Sequence, residues 1–278
     1  MTAAPSIVVK FGGELIEERG RLATVVAALA HIAASDTPVV VVHGGGKEID
    51  QALMVAGIEK RQVEGLRVTD APTLDVVVSV LAGAVNTRLV SALTTAGVAA
   101  VGLTGADGRC GLSEIAPPHR TVDGQLIDLG RVGIPQDASD VRVLTTLTGA
   151  GFMPVVACIG LTSGGELLNV NADTFAGHLA ARLEARRLVI AGTTAGVLDD
   201  HGGTIATLDR DAVEQVIASG TATAGMVAKL RACEHALAAG VTDVVIVDGR
   251  DGKALEAAAL ADVPPAATRL VSAPLARH

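Results

Sequence analysis

Short runs of β-branched residues alternate along this chain with Ala- and Leu-rich segments of helical length, and no other feature restricts the fold as strongly. "SIVVKF", "LATVVAALAHIAA", "PVVVVH" and "KEIDQALMVAG" read in order as strand, helix, strand, helix. A long Ala/Val/Leu helix follows "RVTDAP", with Asp70 as its N-cap and Pro72 near its first turn, running towards "LTTAG". "VAAVGL" and "MPVVACIG" are apolar on both parities, which predicts buried strands covered by helices on both faces. Between these two strands, residues 107–139 are rich in Gly, Pro and Asp and predict a small antiparallel hairpin excursion. After "LTSGGELLNV" the rhythm restarts: helix "ADTFAGHLAARLEA", strand "RRLVIAG", helices "DRDAVEQVIASG" and "MVAKLRACEHALAAG", strand "TDVVIVDG". The expected class is α/β around a mainly parallel sheet. A soft boundary near residue 165 divides it into lobes of 1–165 and 166–278 that share the sheet or pack closely.

Composition narrows the function. A chain of 278 residues that is 49% apolar can bury a large core. Its net charge of -8 and the lack of a Lys/Arg cluster exclude nucleic acid as an expected partner, and the absence of Trp and Tyr removes stacking platforms. Cys110, Cys158 and Cys233 lie far apart with no paired spacing, which argues against zinc or a disulfide framework and for a reducing cytoplasm. "MTAAPSIVVK" does not read as a secretory signal. The uncharged stretches Leu89–Ala106 and Leu144–Gly165 contain Thr, Gly and Pro154 and read as helix end, turn and short strand, so no membrane partner is expected.

"HGGGKEID" at residues 43–50 poses the chemical question. Such a run serves either as an esterase oxyanion hole or as a backbone cradle for charged oxygens. No serine has glycine at both offsets of a nucleophile elbow. Gly46-Lys47 is followed by Glu48, which breaks a Walker A loop, and Ile49 stands where a dinucleotide fingerprint needs its third glycine. There remains a strand end, three glycines and a helix start, a geometry that suits an anion or is simply a flexible turn. "VVKFGG" ends the first strand with Lys10 before a second pair, Gly12 and Gly13, and two such turns after adjacent parallel strands would face each other at the carboxyl edge. "LLNVNAD" sets Asn169, Asn171 and Asp173 at alternating spacing on one face of an extended strand end, although Asn171 or Asp173 could instead cap the next helix. Lys229 in "GMVAKL" sits in an otherwise apolar helix, where an ordinary exposed lysine is the plain alternative.

Taken in order, "VVKFGG", "VVVVHGGG", "EGLRVTD", "GLTGADG", "LLNVNAD" and "GMVAKL" resemble the amino acid kinase family over nearly the whole chain. The resemblance implies an αβα sandwich, carbamate kinase-like, with an N-terminal acyl-amino-acid lobe and a C-terminal nucleotide lobe. Within the family the similarity is greatest to the branch that phosphorylates the side-chain carboxylate of N-acetyl-L-glutamate with ATP and Mg²⁺, in arginine biosynthesis. By the same resemblance Lys10 and Lys229 stabilise the transferring phosphoryl group, Asp173 holds both ammonium groups, and Gly12, Gly13 and Gly46 offer backbone N–H groups. Gly45, Gly46, Arg67 and Asn169 contact the acyl-amino acid. "AGTTAGVL" and "TATAGM" take the purine and ribose positions, which assigns Thr193, Gly196, Thr223 and Gly225 to the nucleotide. A carboxylate nucleophile with a reference pKa of about 4.3 is already ionised at neutral pH and needs no general base.

Four positions depart from the family pattern. Thr193 replaces a usual acidic residue, Lys47 stands where Pro is common, Glu14 follows the first glycine pair, and Ala267-Thr268 replaces Gly-Thr. Rival readings are a kinase for another acylated or carrier-bound amino acid, and a regulator that keeps the cleft without turnover. The short N-terminus predicts a homodimer without the extra helix of hexameric, arginine-inhibited members, with the apolar segment Leu74–Leu93 as the pairing surface.

Overall fold

The computed structural model describes residues 6–121 and 123–272. The segment before Ser6, on which the expectations about a secretory signal and an extra helix partly rest, lies outside the described residues. From the N-terminus the chain forms β1 (Ile7–Phe11), α1 (Arg19–Ala33), β2 (Val39–His43), α2 (Gly46–Val55), the hairpin strands β3 (Gln62–Val63) and β4 (Leu66–Arg67), and α3 (Ala71–Val78). A π-helical stretch (Ser79–Val85) joins α3 to α4 (Asn86–Thr95), and β5 (Ala100–Thr104) follows. The excursion contains β6 (Ser113–Ile115), β7 (His119–Arg120), β8 (Leu126–Ile127) and β9 (Val132–Pro135). Next come α5 (Arg142–Gly149), β10 (Met153–Ala157), β11 (Ile159–Leu161), β12 (Leu167–Val170), α6 (Ala172–Arg182) and β13 (Arg187–Gly192). The chain closes with β14 (Thr207–Leu208), α7 (Arg210–Ala218), α8 (Ala224–Ala238), β15 (Val244–Asp248), α9 (Gly252–Leu260) and β16 (Ala267–Leu270).

Eight strands make one sheet in the order β14-β16-β15-β13-β1-β2-β10-β5, and every neighbouring pair is parallel except β15 with β16. The first strand lies at its centre because Ile7, Val8, Val9 and Phe11 are apolar on both parities, and all four are fully buried. Each such side chain contributes about 1.5–3 kcal/mol on leaving water. On one face α1 packs on α4 and α9; on the other, α6 packs on α8 and over β1. A second sheet, β11-β12-β9-β6, carries the antiparallel excursion. Gly165 sits in the turn between β11 and β12, which pair antiparallel.

Two expectations need correction. β5 is not a buried strand: it is an edge of the sheet with one strand neighbour, so its residues are only half-buried and Gly102 is exposed. The last third holds α9, β14 and β16, which the reading of short β-branched runs did not anticipate. The helix after Asp70 forms as expected, its carboxylate accepting the N–H of Thr73 at 3.0 Å. It runs unbroken through Ala71–Thr95 and is long and apolar enough to cross a membrane, yet Val77, Leu81, Val85, Leu89 and Leu93 pack into the core. Burial on that side accounts for much of its apolar character.

Candidate active site

Lys10 enters the middle of the sheet as a charge among valines. Its register neighbours are Val42 and Ile190, and it is 6% exposed. A cation in that position needs a partner, and α6 supplies one. Asn171 caps that helix, its Oδ1 accepting the N–H groups of Asp173 at 2.9 Å and Thr174 at 3.0 Å. The cap fixes where Asp173 projects: its Oδ1 lies 2.8 Å from Lys10 Nζ and its Oδ2 lies 3.6 Å from Lys229 Nζ. Lys229 arrives from α8, whose cap is Thr223, accepting from the N–H of Met226. The polar alternation read through residues 169–173 therefore holds only as far as Asn171. The chain turns into a helix at Ala172, and Asp173 reaches the site from that helix.

The three charges are not equivalent. Burial opposes the charge on Lys10, but the attraction and hydrogen bond of Asp173, with Glu14 adding, outweigh it and hold its pKa above the ordinary lysine value. For Lys229, burial and the repulsion of Lys10 exceed the more distant pull of Asp173, and its pKa falls below the ordinary value. Burial pushes the Asp173 carboxyl up, but the two lysines overcome this and the net shift is downward.

The two glycine turns meet as expected at the carboxyl edge. A Cβ on Gly13 would lie 2.8 Å from Gly45 Cα, and one on Gly45 would lie 2.8 Å from Leu81 Cδ2, so backbone approaches backbone and only glycine fits. Gly46 begins α2, whose cap Gly45 has no side chain to satisfy the first-turn amides, leaving them to a ligand or water. Glu14 folds its carboxylate against Gly12. These turns, Lys10, Asn169, Asn171 and Asp173 line one open cleft of about 260 Å³.

Arg67, 9% exposed at the end of β4, also lines this cleft. Its Nη2 donates to Asp50 Oδ1 at 2.5 Å and to the Gly46 carbonyl at 3.3 Å. Its Nη1 is buried and has no hydrogen-bond partner within the protein. Such a nitrogen costs about 1–3 kcal/mol unless an acceptor arrives. Glu64, three residues before Arg67, bonds His119 Nε2 at 2.8 Å. Asn169 Nδ2 donates to Thr69 Oγ1 at 3.1 Å, which in turn donates to the Arg67 carbonyl at 3.0 Å, tying β12 to the β4 strand.

Thr193, Gly196, Thr223 and Gly225 do not line this cleft. Thr193 follows β13, and Gly225 lies one turn before Lys229 on α8. Gly196 is held by the fold itself: its φ is +74°, and a Cβ there would lie 2.4 Å from Thr268 Oγ1. Sequence reasoning missed Asp50 and Thr69. Asp50 carried a signal, since it stands one helical turn after Gly46 and so projects from the same side of α2.

The profile of the amino acid kinase family matches residues 5–248. An acetylglutamate kinase from Acidiphilium cryptum is 42% identical, with 89% of this chain and 84% of the relative aligned. Another from Symbiobacterium thermophilum is 41% identical over 88% and 84% of the two chains. Among solved structures, an N-acetylglutamate synthase from Neisseria gonorrhoeae complexed with coenzyme A and N-acetyl-glutamate superposes with a TM-score of 0.81 at 23% identity. The match covers 98% of this chain and 60% of that one. A carbamate kinase from Giardia has a TM-score of 0.70 at 13% identity, with 98% and 100% covered. At these identities the two structures speak for the fold alone. The chain belongs to the amino acid kinase family.

Proposed function

We propose that this chain transfers the γ-phosphoryl group of ATP to the side-chain carboxylate of N-acetyl-L-glutamate, forming an acyl phosphate for arginine biosynthesis. One observation carries the reading: a single cleft is lined both by Arg67, whose buried Nη1 has no partner within the protein, and by the Lys10–Asp173 ion pair, with Asp173 also reaching Lys229, which does not itself line the cleft. A dicarboxylate spans such a cleft naturally. Arg67 Nη1 and Asn169 receive the α-carboxylate and acyl amide, while Gly45 and Gly46 let the chain of the substrate lie against the backbone. The names of the curated relatives support the same substrate.

The difficult part of the reaction is electrostatic, because an anion attacks a polyanion. Lys10, Lys229 and the amides of Gly12, Gly13 and Gly46 neutralise the charge that gathers on the transferring group. Asp173 keeps Lys10 charged and holds both ammonium groups apart from each other. Thr193, Gly196, Thr223 and Gly225 are assigned to the nucleotide side on the family pattern. Mg²⁺ enters with the nucleotide: no cluster of three His, Cys, Asp or Glu side chains that could hold a metal occurs among the described residues, so the reading places the ion on the phosphate oxygens.

The lobe division is carried over from the family pattern as part of the proposal. Residues 1–165 provide the acyl-amino-acid and dimerisation half, and residues 166–278 the nucleotide half. We assign the protein to the cytoplasm as a homodimer pairing through the apolar segment Leu74–Leu93 of the long helix, which gel filtration at a dimer's volume supports and elution as a hexamer refutes. The substrate is tested by trapping acyl phosphate with hydroxylamine across acetylated and succinylated Glu, Asp and aminoadipate. Trapping with N-acetyl-L-glutamate at the highest kcat/KM is expected. A preference for aminoadipate selects a kinase for another acyl-amino acid, and saturable binding without ADP release selects the silent regulator.

A further inference from the structure

His43 ends β2 with its ring fully buried, at the foot of the glycine turn. Its Nδ1 lies 3.2 Å from the Gly44 carbonyl, and its Nε2 lies 3.0 Å from Asn86 Nδ2. The same Asn86 nitrogen donates to the Val155 carbonyl at 2.8 Å. A carbonyl only accepts, so the amide nitrogen must face Val155; its second hydrogen goes to His43 Nε2, which at 3.0 Å is nearer than the Leu103 carbonyl at 3.5 Å. That ring nitrogen is then the acceptor, and the proton resides on Nδ1, aimed at the Gly44 oxygen. Burial keeps the ring uncharged, its pKa pulled down to about 4.

The π-helical stretch makes this arrangement possible from the other side. Its Leu81 and Val85 press on Gly45, where a Cβ would be 2.8 and 3.3 Å from their methyl groups, and the next residue is Asn86. A widened turn of this kind commonly re-aims side chains at functional sites. Gly102 leaves room for Asn86: a Cβ there would lie 2.1 Å from its Oδ1.

We propose that Asn86 and His43 are positioning residues that set the orientation of the Gly44–Gly45 peptide, and that the Gly45 N–H so directed into the cleft joins the amides of Gly12, Gly13 and Gly46 in facing the transferring phosphoryl group. In a trans peptide the carbonyl and the N–H point in opposite directions. Holding the Gly44 oxygen towards the buried ring turns the Gly45 N–H away from it, to the side where Gly44, Gly45 and Gly46 line the cleft. Neither side chain touches substrate; both act through the main chain. The inference rests on the kinase reading for its catalytic consequence, while the orientation itself does not.

The test separates the two. In ¹⁵N NMR of the wild-type protein between pH 6 and 8, His43 is expected as the Nδ1–H tautomer, and Asn86→Ala is expected to release a tautomer mixture. An Nε2–H ring in the wild type overturns the proposal. In turnover, His43→Leu removes the hydrogen bond and is expected to lower kcat about 10²-fold, the size of effect seen when one oriented donor is lost, with KM for both substrates within about threefold. His43→Asn, whose amide reproduces the donor at the Nδ1 position, is expected to recover at least about tenfold of that loss at an equal melting temperature. Equal activity of the Leu and Asn variants, or a loss that tracks melting temperature or appears in KM, overturns the role. A wild-type protein without turnover defeats the kinase reading instead. The orientation is then decided by the Gly45 amide resonance, which inorganic phosphate shifts in the wild type and not in His43→Leu if the proposal holds.

Discussion

Both edges of the main sheet carry a hollow, and the larger one is chemically empty of converging charge. At the amino edge a cavity of about 620 Å³ opens among the ends of α1, α4 and α5 and the starts of β2, β5 and β10. It is walled by Ala30, Ala33, Ala34, Val98 and Phe152, with Asp36 its only ionisable side chain among the described residues. The carboxyl-edge cleft is smaller, yet Lys10, Glu14, Arg67 and Asp173 all line it. Helix direction explains the contrast. Crossovers between parallel strands start their helices at the carboxyl edge of the sheet and return them to the amino edge, so free N–H groups gather at the first and free carbonyls at the second; α7 is an exception, because it follows β14, which runs against β15. An anionic substrate is favoured where α2 and α6 begin. Volume does not make the site; the polarity of the layer does.

The largest expected effect breaks the carboxyl edge. Lys10→Ala should lower kcat about 10²–10³-fold while acyl-amino-acid binding, measured by calorimetry, stays within a few-fold; unchanged kcat would remove Lys10 from the chemistry. Arg67→Ala should act chiefly on KM for the acyl-amino acid, raising it about tenfold to 10²-fold as a charge-assisted contact worth about 1.5–3 kcal/mol is lost. A variant that changes only the KM for ATP would place Arg67 on the wrong substrate.

The pH profile sharpens the comparison within the cleft. Because the pKa of Lys229 is lowered from 10.5, its positive charge is lost as pH rises through a value below that of a free lysine, and kcat should fall with it. Lys229→Arg should move this alkaline limb upward. Stability runs in the opposite sense: between the folded and unfolded pKa values the unfolded chain binds more protons, so the Lys229 contribution to stability rises with pH across that window. An alkaline limb that does not respond to Lys229→Arg belongs to another group. The smallest effect is at the amino edge, where Phe152→Ser, at a side chain 42% exposed, should leave kcat/KM within about twofold; a larger loss would give that cavity a function.

The sequence showed the layers well and the site in part. β1, β2, β10, β13 and β15 were legible because buried parallel strands are continuous apolar runs bounded by turns, and such a pattern needs no partner to be seen. β5 misled because the same composition serves an edge, and exposure depends on what lies beside a strand. α9 and β16 were hidden in an Ala-rich tail whose pairing with β15 is antiparallel and long-range. In the site, Lys10, the glycines and Asn171 sit at strand ends and caps, positions with local signals. Arg67 with Asp50 and His43 with Asn86 are 17 and 43 residues apart, and only the folded topology brings them together.

The contact between Gly13 and Gly45 also bears on how such an enzyme can be retuned. With main chain resting on main chain, Gly13 and Gly45 tolerate no added atom, so substrate range cannot drift through these two positions by small steps. Variation is left to the walls, where Gln62 and Leu66 of the β3–β4 hairpin and Val132 face the same space. A library confined to those three positions should yield altered acyl-chain preference with turnover intact, whereas one at Gly13 and Gly45 should yield mostly inactive protein.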